Sequence, residues 1–269
     1  MNLLFCINAR FRPLLCQCLR SIVLHGGEDR YDAYILHSDL SQEDMDAICC
    51  VSSQINCVFL PVDPKLFDGF PERKRYPREI YYRLAAPLLL PEQLDRILYL
   101  DVDTLVINPL KNFYTMDFQG NYYIACTHIR ETLTRLNDLR LKVPEGAPYV
   151  NTGVMMLNLP ALRQNLTMEQ IRDTALQKID SFWLPDQDLL TVMHGNKILL
   201  ADAQKYNLSD RILNFYNADP RHPRHPRHDL TWVRENTVVL HFCGKNRPWN
   251  PHYVGTLGIF YQELLEERR

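Results

Sequence analysis

Short apolar runs and amphipathic stretches alternate along the first part of the chain. Asn2–Ile7 is apolar enough to be a strand covered on both faces, and Pro13–Leu24 after it carries the three-and-four spacing of a helix packed on such a strand. Tyr31–His37 and Ile55–Pro61 repeat the strand pattern. Between them Ser41 stands where an N-cap belongs, and Glu43 and Asp44 occupy the first turn of a helix running to about Ser53, where the helix dipole favours acids. A βαβαβ beginning predicts an α/β fold with a mostly parallel sheet flanked by helices.

Beyond a polar loop at Asp63–Pro77, the pattern predicts a helix over Arg78–Leu89 and a short strand at Arg96–Leu100. Further strands are expected at Tyr122–Cys126, Gly153–Asn158, Lys197–Leu200 and Thr237–Phe242. Helices are expected at Met168–Phe182, Gln187–His194 and Gly255–Glu267. In the last, Leu257, Phe260, Tyr261, Leu264 and Leu265 share one face, which should pack on the rest of the chain. No linker of shifted composition interrupts residues 1–269, so a single domain is expected. The repeated Arg-His-Pro stretch at 221–228 cannot form regular structure and reads as a loop.

Composition narrows the partners. Thirty basic against 32 acidic side chains give a formal charge of −2, which supplies no field to gather nucleic acid or anionic lipid. An anionic substrate must then be held by a local site. The eight cysteines include no CxxC pair and mostly lie among apolar neighbours, as buried free thiols would. The N-terminal segment reads as a first strand and not a signal peptide, and no apolar run reaches the length of a membrane span. The polar side of the last helix, with Glu263, Glu266 and Glu267 against Arg268 and Arg269, is too acidic to seek anionic lipid. A cytoplasmic protein without a membrane-binding tail is expected, and the sequons at Asn165 and Asn207 are then coincidental.

Five segments could carry chemistry. Asp101-Val102-Asp103 follows a buried strand, and in extended chain its two acids would face one cation from the same side, beyond the carboxyl end of the sheet where ligands bind in such folds. A strand-end turn is the plainer alternative. Thr237–Trp249 delivers His241, a metal-ligand type that tolerates carboxylate partners, followed by Gly244, Lys245 and Arg247, a combination suited to a phosphate. Asn151 and Thr152 precede an apolar strand and could bond a polyhydroxylated ligand or simply form a turn. Asp186, Gln187 and Asp188 open a helix, as caps or as a sugar pocket. Arg83 lies among apolar residues of a helix, with a surface salt bridge as the alternative reading.

Taken in order, YYRL (81–84), ILYLDVDTLV (97–106), NTGVMMLNL (151–159), PDQDLL (185–190) and HFCGKNRPW (241–249) resemble the family 8 glycosyltransferases, the retaining group that includes lipopolysaccharide galactosyl- and glucosyltransferases and glycogenin. The resemblance runs from Asn2 to about Trp249. It implies a Rossmann-like nucleotide-sugar-binding fold of GT-A type and a UDP-sugar donor held with Mn²⁺, or Mg²⁺. It assigns Asp101, Asp103 and His241 to the metal, and Arg83, Asn151, Thr152, Asp186, Gln187 and Asp188 to the donor sugar. Gly244, Lys245 and Arg247 fall at the diphosphate and Asn8 and Phe11 at the uracil end, with Ile7 and Val102 also expected to bind the substrate. Arg247 replaces the family's usual lysine, and Asn8 and Phe11 stand where it often has an acid and a tyrosine. The activity so implied is retaining hexosyl transfer from UDP-glucose or UDP-galactose to a hydroxyl of a saccharide or glycolipid acceptor, which such enzymes meet with variable loops, here expected at Ile129–Pro148 and Asn217–Asp229. Asp186 would orient the sugar, and Gln187, a poor nucleophile, would stabilise positive charge beneath it. Rival readings are a metal-dependent nucleotidyltransferase or pyrophosphatase, and a nucleotide-sugar-binding protein without catalysis.

Overall fold

A computed structural model describes every residue except 72–77, 129–130, 219–225 and 268–269. Strands β1 (Asn2–Ile7), β2 (Tyr31–His37), β3 (Ile55–Pro61) and β4 (Arg96–Leu100) form where the apolar runs predict them. The central sheet also contains β6 (Tyr123–Cys126), β7 (Asn151–Asn158) and β8 (Ile198–Leu200), in the order β3-β2-β1-β4-β7-β6-β8. Neighbours pair in parallel except around β7, which runs antiparallel to both β4 and β6. Side chains of β1 alternate between two apolar cores: Leu4 enters one, while Leu3, Phe5 and Ile7 enter the other. Burial on both faces explains why these strands lack polar alternation.

Helices α1 (Arg12–His25), α2 (Gln42–Cys49) and α3 (Tyr82–Leu89) cover the first half of the sheet. The Ser41 start of α2 is a reciprocal cap: the Ser41 hydroxyl accepts from the Asp44 amide at 3.2 Å, and the Asp44 carboxylate accepts from the Ser41 amide at 3.0 Å. Several short elements escape the periodic reading, namely β5 (Thr104–Val106), α4 (Lys111–Tyr114), α5 (Glu131–Leu141) and α6 (Leu159–Asn165). After them come α7 (Met168–Lys178), α8 (Pro185–His194), α9 (Ala203–Tyr206), α10 (Asp210–Asn217), α11 (Leu230–Asn236), β9 (Val239–His241) and α12 (Gly258–Glu266). The segment expected as an acceptor loop at Ile129–Pro148 is therefore helical over Glu131–Leu141, and residues 219–225 of the other lie outside the described residues.

Strands β5 and β9 form a separate antiparallel ribbon with Thr104 opposite His241. A third apolar cluster holds this ribbon to α12: Leu105, Leu240 and Phe242 pack with Leu257, Phe260, Tyr261 and Leu264, the face that the spacing predicts. Asp210 caps this helix from outside, accepting from the Thr256 amide at 2.7 Å and the Leu257 amide at 3.0 Å. Arg268 and Arg269 of the expected charge pattern lie outside the described residues. No described helix is long and apolar enough to cross a membrane. All eight cysteines are free, but only Cys18 and Cys126 are buried, whereas Cys49, Cys50 and Cys243 are exposed, so the expectation of buried thiols is corrected for those three.

One buried histidine makes stability depend on pH. His194, at the end of α8, is 8% exposed, lies 3.4 Å from the Tyr123 hydroxyl and meets the edge of Tyr122. Burial lowers its pKa from 6.5 to about 4. The fold thus favours neutral imidazole, so this contribution is complete above the unfolded value of 6.5 and is lost as pH falls towards about 4. Between pH 7 and pH 5 the loss should be on the order of 2 kcal/mol. Urea unfolding at both pH values checks it: His194→Gln should shrink the difference by about that amount, and an unchanged difference would refute the assignment.

Candidate active site

Chain topology creates the site. The order of strands places β2 and β3 on one side of β1 and β4 on the other, so the carboxyl ends of β1 and β4 flank a topological switch point. A cavity of about 220 Å³ opens there, lined from β1 by Ile7 and Asn8, from α1 and the turn before it by Phe11 and Leu14, and from beyond β4 by Asp101, Val102 and Asp103. Glu79, Ile80, Arg83 and Arg247 complete the wall.

The two acids do not lie in extended chain. The Thr104 amide bonds the Asp101 carbonyl at 3.1 Å, closing a turn, and β5 leaves that turn to pair with β9. This pairing, and not the strand period, brings His241 Nε2 to 3.2 Å from Asp103 and 3.8 Å from Asp101. Ligand atoms of the three residues lie within 4.8 Å of one another. Burial disfavours charge on Asp103, yet His241 and Arg247 outweigh it and hold the carboxyl below its usual range. Arg247 reaches Asp103 at 3.2 Å and packs its guanidinium over Trp249.

Arg83 is no surface residue. It is 12% exposed, and its guanidinium bridges Asp101 at 3.1 Å and Asp186 at 3.2 Å, tying the strand-end turn to the start of α8. Burial works against its charge, but Asp101, Tyr99 and Asp186 more than offset this and raise its pKa. Thr152 donates to Asp186 at 2.5 Å, and Tyr99 donates to Asp101 at 2.5 Å. Asn151, 8% exposed, uses its carbonyl to accept from the Gly153 amide. Gln187 is half-buried in the first turn of α8, beside Asp186.

Other expected site residues fall differently. Asp188 is wholly buried, and its carboxylate accepts from Arg140 at 2.6 and 3.0 Å, Tyr149 at 2.8 Å, and the Trp183 and Leu184 amides at 2.6 and 3.0 Å. With its oxygens filled and no exposed surface, it anchors the start of α8. Gly244 and Lys245 are exposed and lie outside the cavity wall, with Gly244 at φ +99°, a conformation that favours glycine. Sequence reading missed Glu79, which accepts from the Asn8 side-chain Nδ2 at 3.4 Å and the Ser38 hydroxyl at 3.2 Å. It also missed Tyr99 and Asn207. Tyr99 shares a strand face with Asp101, so the period of two was a signal for it; Glu79 left none.

The family model described as glycosyl transferase family 8 matches residues 2–252. The chain belongs to this family. It is a glycosyltransferase of GT-A fold. A putative glycosyltransferase of Haemophilus influenzae is 24% identical over 93% of the chain and 73% of its own length. The lipopolysaccharide 1,2-glucosyltransferase of Escherichia coli is 24% identical over 86% of the chain and 68% of its own length. The chain thus spans about two thirds to three quarters of these relatives. The galactosyltransferase LgtC, solved with donor and acceptor sugar analogues, superposes with a TM-score of 0.81 at 22% identity, covering 99% of the chain and 96% of LgtC. This last likeness concerns the fold.

Proposed function

We propose that this family 8 glycosyltransferase moves a hexosyl unit, with retention at the anomeric carbon, from UDP-glucose or UDP-galactose to a hydroxyl of a saccharide or glycolipid. The observation that carries the reading is the convergence of His241 on Asp101 and Asp103, two acids that line the switch-point cavity. Two carboxylates and an imidazole fit Mn²⁺ or Mg²⁺, and one ligand atom from each lies within 4.8 Å of the others, close enough to share one ion. An ion held there would neutralise charge developing on a leaving diphosphate.

The chain's own residues supply the rest. Phe11 offers an apolar surface and Asn8 an amide where a nucleoside would enter. Arg247, in the wall of the cavity, and the exposed Lys245 would bind phosphate oxygens and stabilise them as the sugar departs. Asp186, fixed by Arg83 and Thr152, would orient the sugar hydroxyls. Gln187 is an amide and a poor nucleophile, which favours attack from the face the diphosphate leaves, with its dipole supporting positive charge on the sugar. Asn151 and Thr152 stand next to these groups, at the head of β7. The free thiols suit a reducing compartment, in keeping with a cytoplasmic location.

Incubation with a panel of UDP-hexoses, Mn²⁺ and lipopolysaccharide-core or simple glycoside acceptors tests this. The expected result is UDP release, a product heavier by one hexose with the donor's anomeric configuration, and loss of turnover in excess chelator, restored by Mn²⁺. Release of UMP or pyrophosphate, or undiminished turnover in chelator, would overturn it.

A further inference from the structure

Asn207 lies between β9 and β7 and is completely buried. Its side chain takes part in a chain of hydrogen bonds whose direction is fixed from one end. A backbone amide can only donate, so the Gly153 N–H, 3.0 Å from Asn151 Oδ1, identifies that atom as an acceptor. Asn207 Nδ2 lies 3.1 Å from the same Oδ1 and is therefore the donor of its pair. That leaves Asn207 Oδ1, an acceptor, 2.9 Å from His241 Nδ1. The imidazole must then hold its hydrogen on Nδ1 and turn Nε2 towards Asp103 and Asp101.

We propose that Asn207 is a positioning residue for the cation site: it sets the His241 tautomer that leaves Nε2 free to bind a divalent ion. The inference rests on the metal reading given above. A metal-ligating histidine needs a partner on its other nitrogen to fix ring and tautomer, and loss of such partners typically weakens metal binding 10–100-fold. Here the partner is an uncharged amide held in turn by Asn151, so a residue beside the sugar-orienting groups and a cation ligand share one network. Asn207 is also tied from its backbone. Its amide donates to the Ala203 carbonyl at 3.1 Å, and its carbonyl lies 2.8 Å from His128 Nε2. Full burial likewise removes it as a glycosylation acceptor, although it heads an Asn-Leu-Ser sequon.

The test combines metal binding with a direct view of the proton. Free Mn²⁺ is followed by electron paramagnetic resonance during titration of the wild type, Asn207→Leu and Asn207→Asp, each checked by its melting curve. Asn207→Leu removes the acceptor and should weaken Mn²⁺ binding about 10–100-fold. Asn207→Asp restores an acceptor for the Nδ1 hydrogen but cannot donate to Asn151, and it should bind Mn²⁺ as tightly as the wild type or more so. In ¹⁵N-histidine-labelled wild type loaded with Mg²⁺, His241 should show its hydrogen on Nδ1. A hydrogen on Nε2, an undiminished affinity in the leucine variant, or an aspartate variant as weak as leucine would overturn the role of Asn207. A wild type that takes up no Mn²⁺ would bring down the metal reading itself, and this inference with it.

Discussion

Gly153→Ala is expected to abolish cation binding and to reduce transfer about 100-fold or more, while the chain still folds. A methyl at Gly153 would stand 2.3 Å from His241 Cε1 and 2.6 Å from Asp101 Oδ2, well inside van der Waals contact. Neither neighbour can swing aside cheaply. His241 is held by Asn207 and by the pairing of β9 with β5, and Asp101 is clamped by Arg83 and Tyr99. The clash must therefore spread the acids and the imidazole apart, and a displacement near 1 Å at a reacting centre typically costs about 100-fold. Global stability should suffer less, on the order of 1–3 kcal/mol for an overpacked core position. Turnover, Mn²⁺ titration and thermal melting of the variant distinguish these effects. A variant with near-wild-type turnover would show that the two ligands are not confined as described.

Gly153 also illustrates how the strands were legible while the site was only partly so. Strands β1 to β4 carry four to six apolar residues in a row because both faces of the sheet are covered, and that signal is local. By contrast, β5 and β9 are three residues each and pair with one another across about half of the chain. Helix α5 was hidden for another reason. Its Leu136 and Leu139 are 49% and 79% exposed, so its apolar residues do not sort onto one buried face, and a search for that face passes over it.

The residue types of the site could be picked out where they follow strands: Asp101 and Asp103 after β4, and His241 at the end of β9. Their convergence could not, because it depends on the turn at Asp101–Thr104 and on the register that sets Thr104 opposite His241. Adjacent residues of one motif also part company. Asp186 faces Arg83 and the site, whereas Asp188, two positions on, turns into the core and meets Arg140. Asn207 attracts notice in the sequence only as part of a sequon. A buried amide has no periodicity or charge to mark it, and its partners lie far along the chain.

Arg83→Met should destabilise the metal-free protein by roughly 3–5 kcal/mol, the usual consequence of stranding a buried charge whose partner has been removed. The methionine fills much of the same volume, so lost packing contributes little. What remains are two carboxylates, Asp101 at 25% and Asp186 at 12% side-chain exposure, without the cation that lies between them. Asp186 retains the Thr152 hydroxyl and Asp101 retains Tyr99, but neutral donors do not replace a guanidinium. Arg83→Lys should recover only part of the loss, because one ammonium cannot present two parallel donors to Asp101 and still reach Asp186. The decisive measurement is a double-mutant cycle with Asp186→Asn. Neutralising one stranded acid should make the double variant less destabilised than the sum of the single changes, with a coupling of about 1–3 kcal/mol. Mn²⁺ should narrow the deficit of Arg83→Met further, since the added cation meets Asp101 from the other side. Strict additivity, together with a deficit indifferent to Mn²⁺, would mean that Arg83 stabilises the fold by packing alone and that the bridge from the strand-end turn to α8 holds nothing in place.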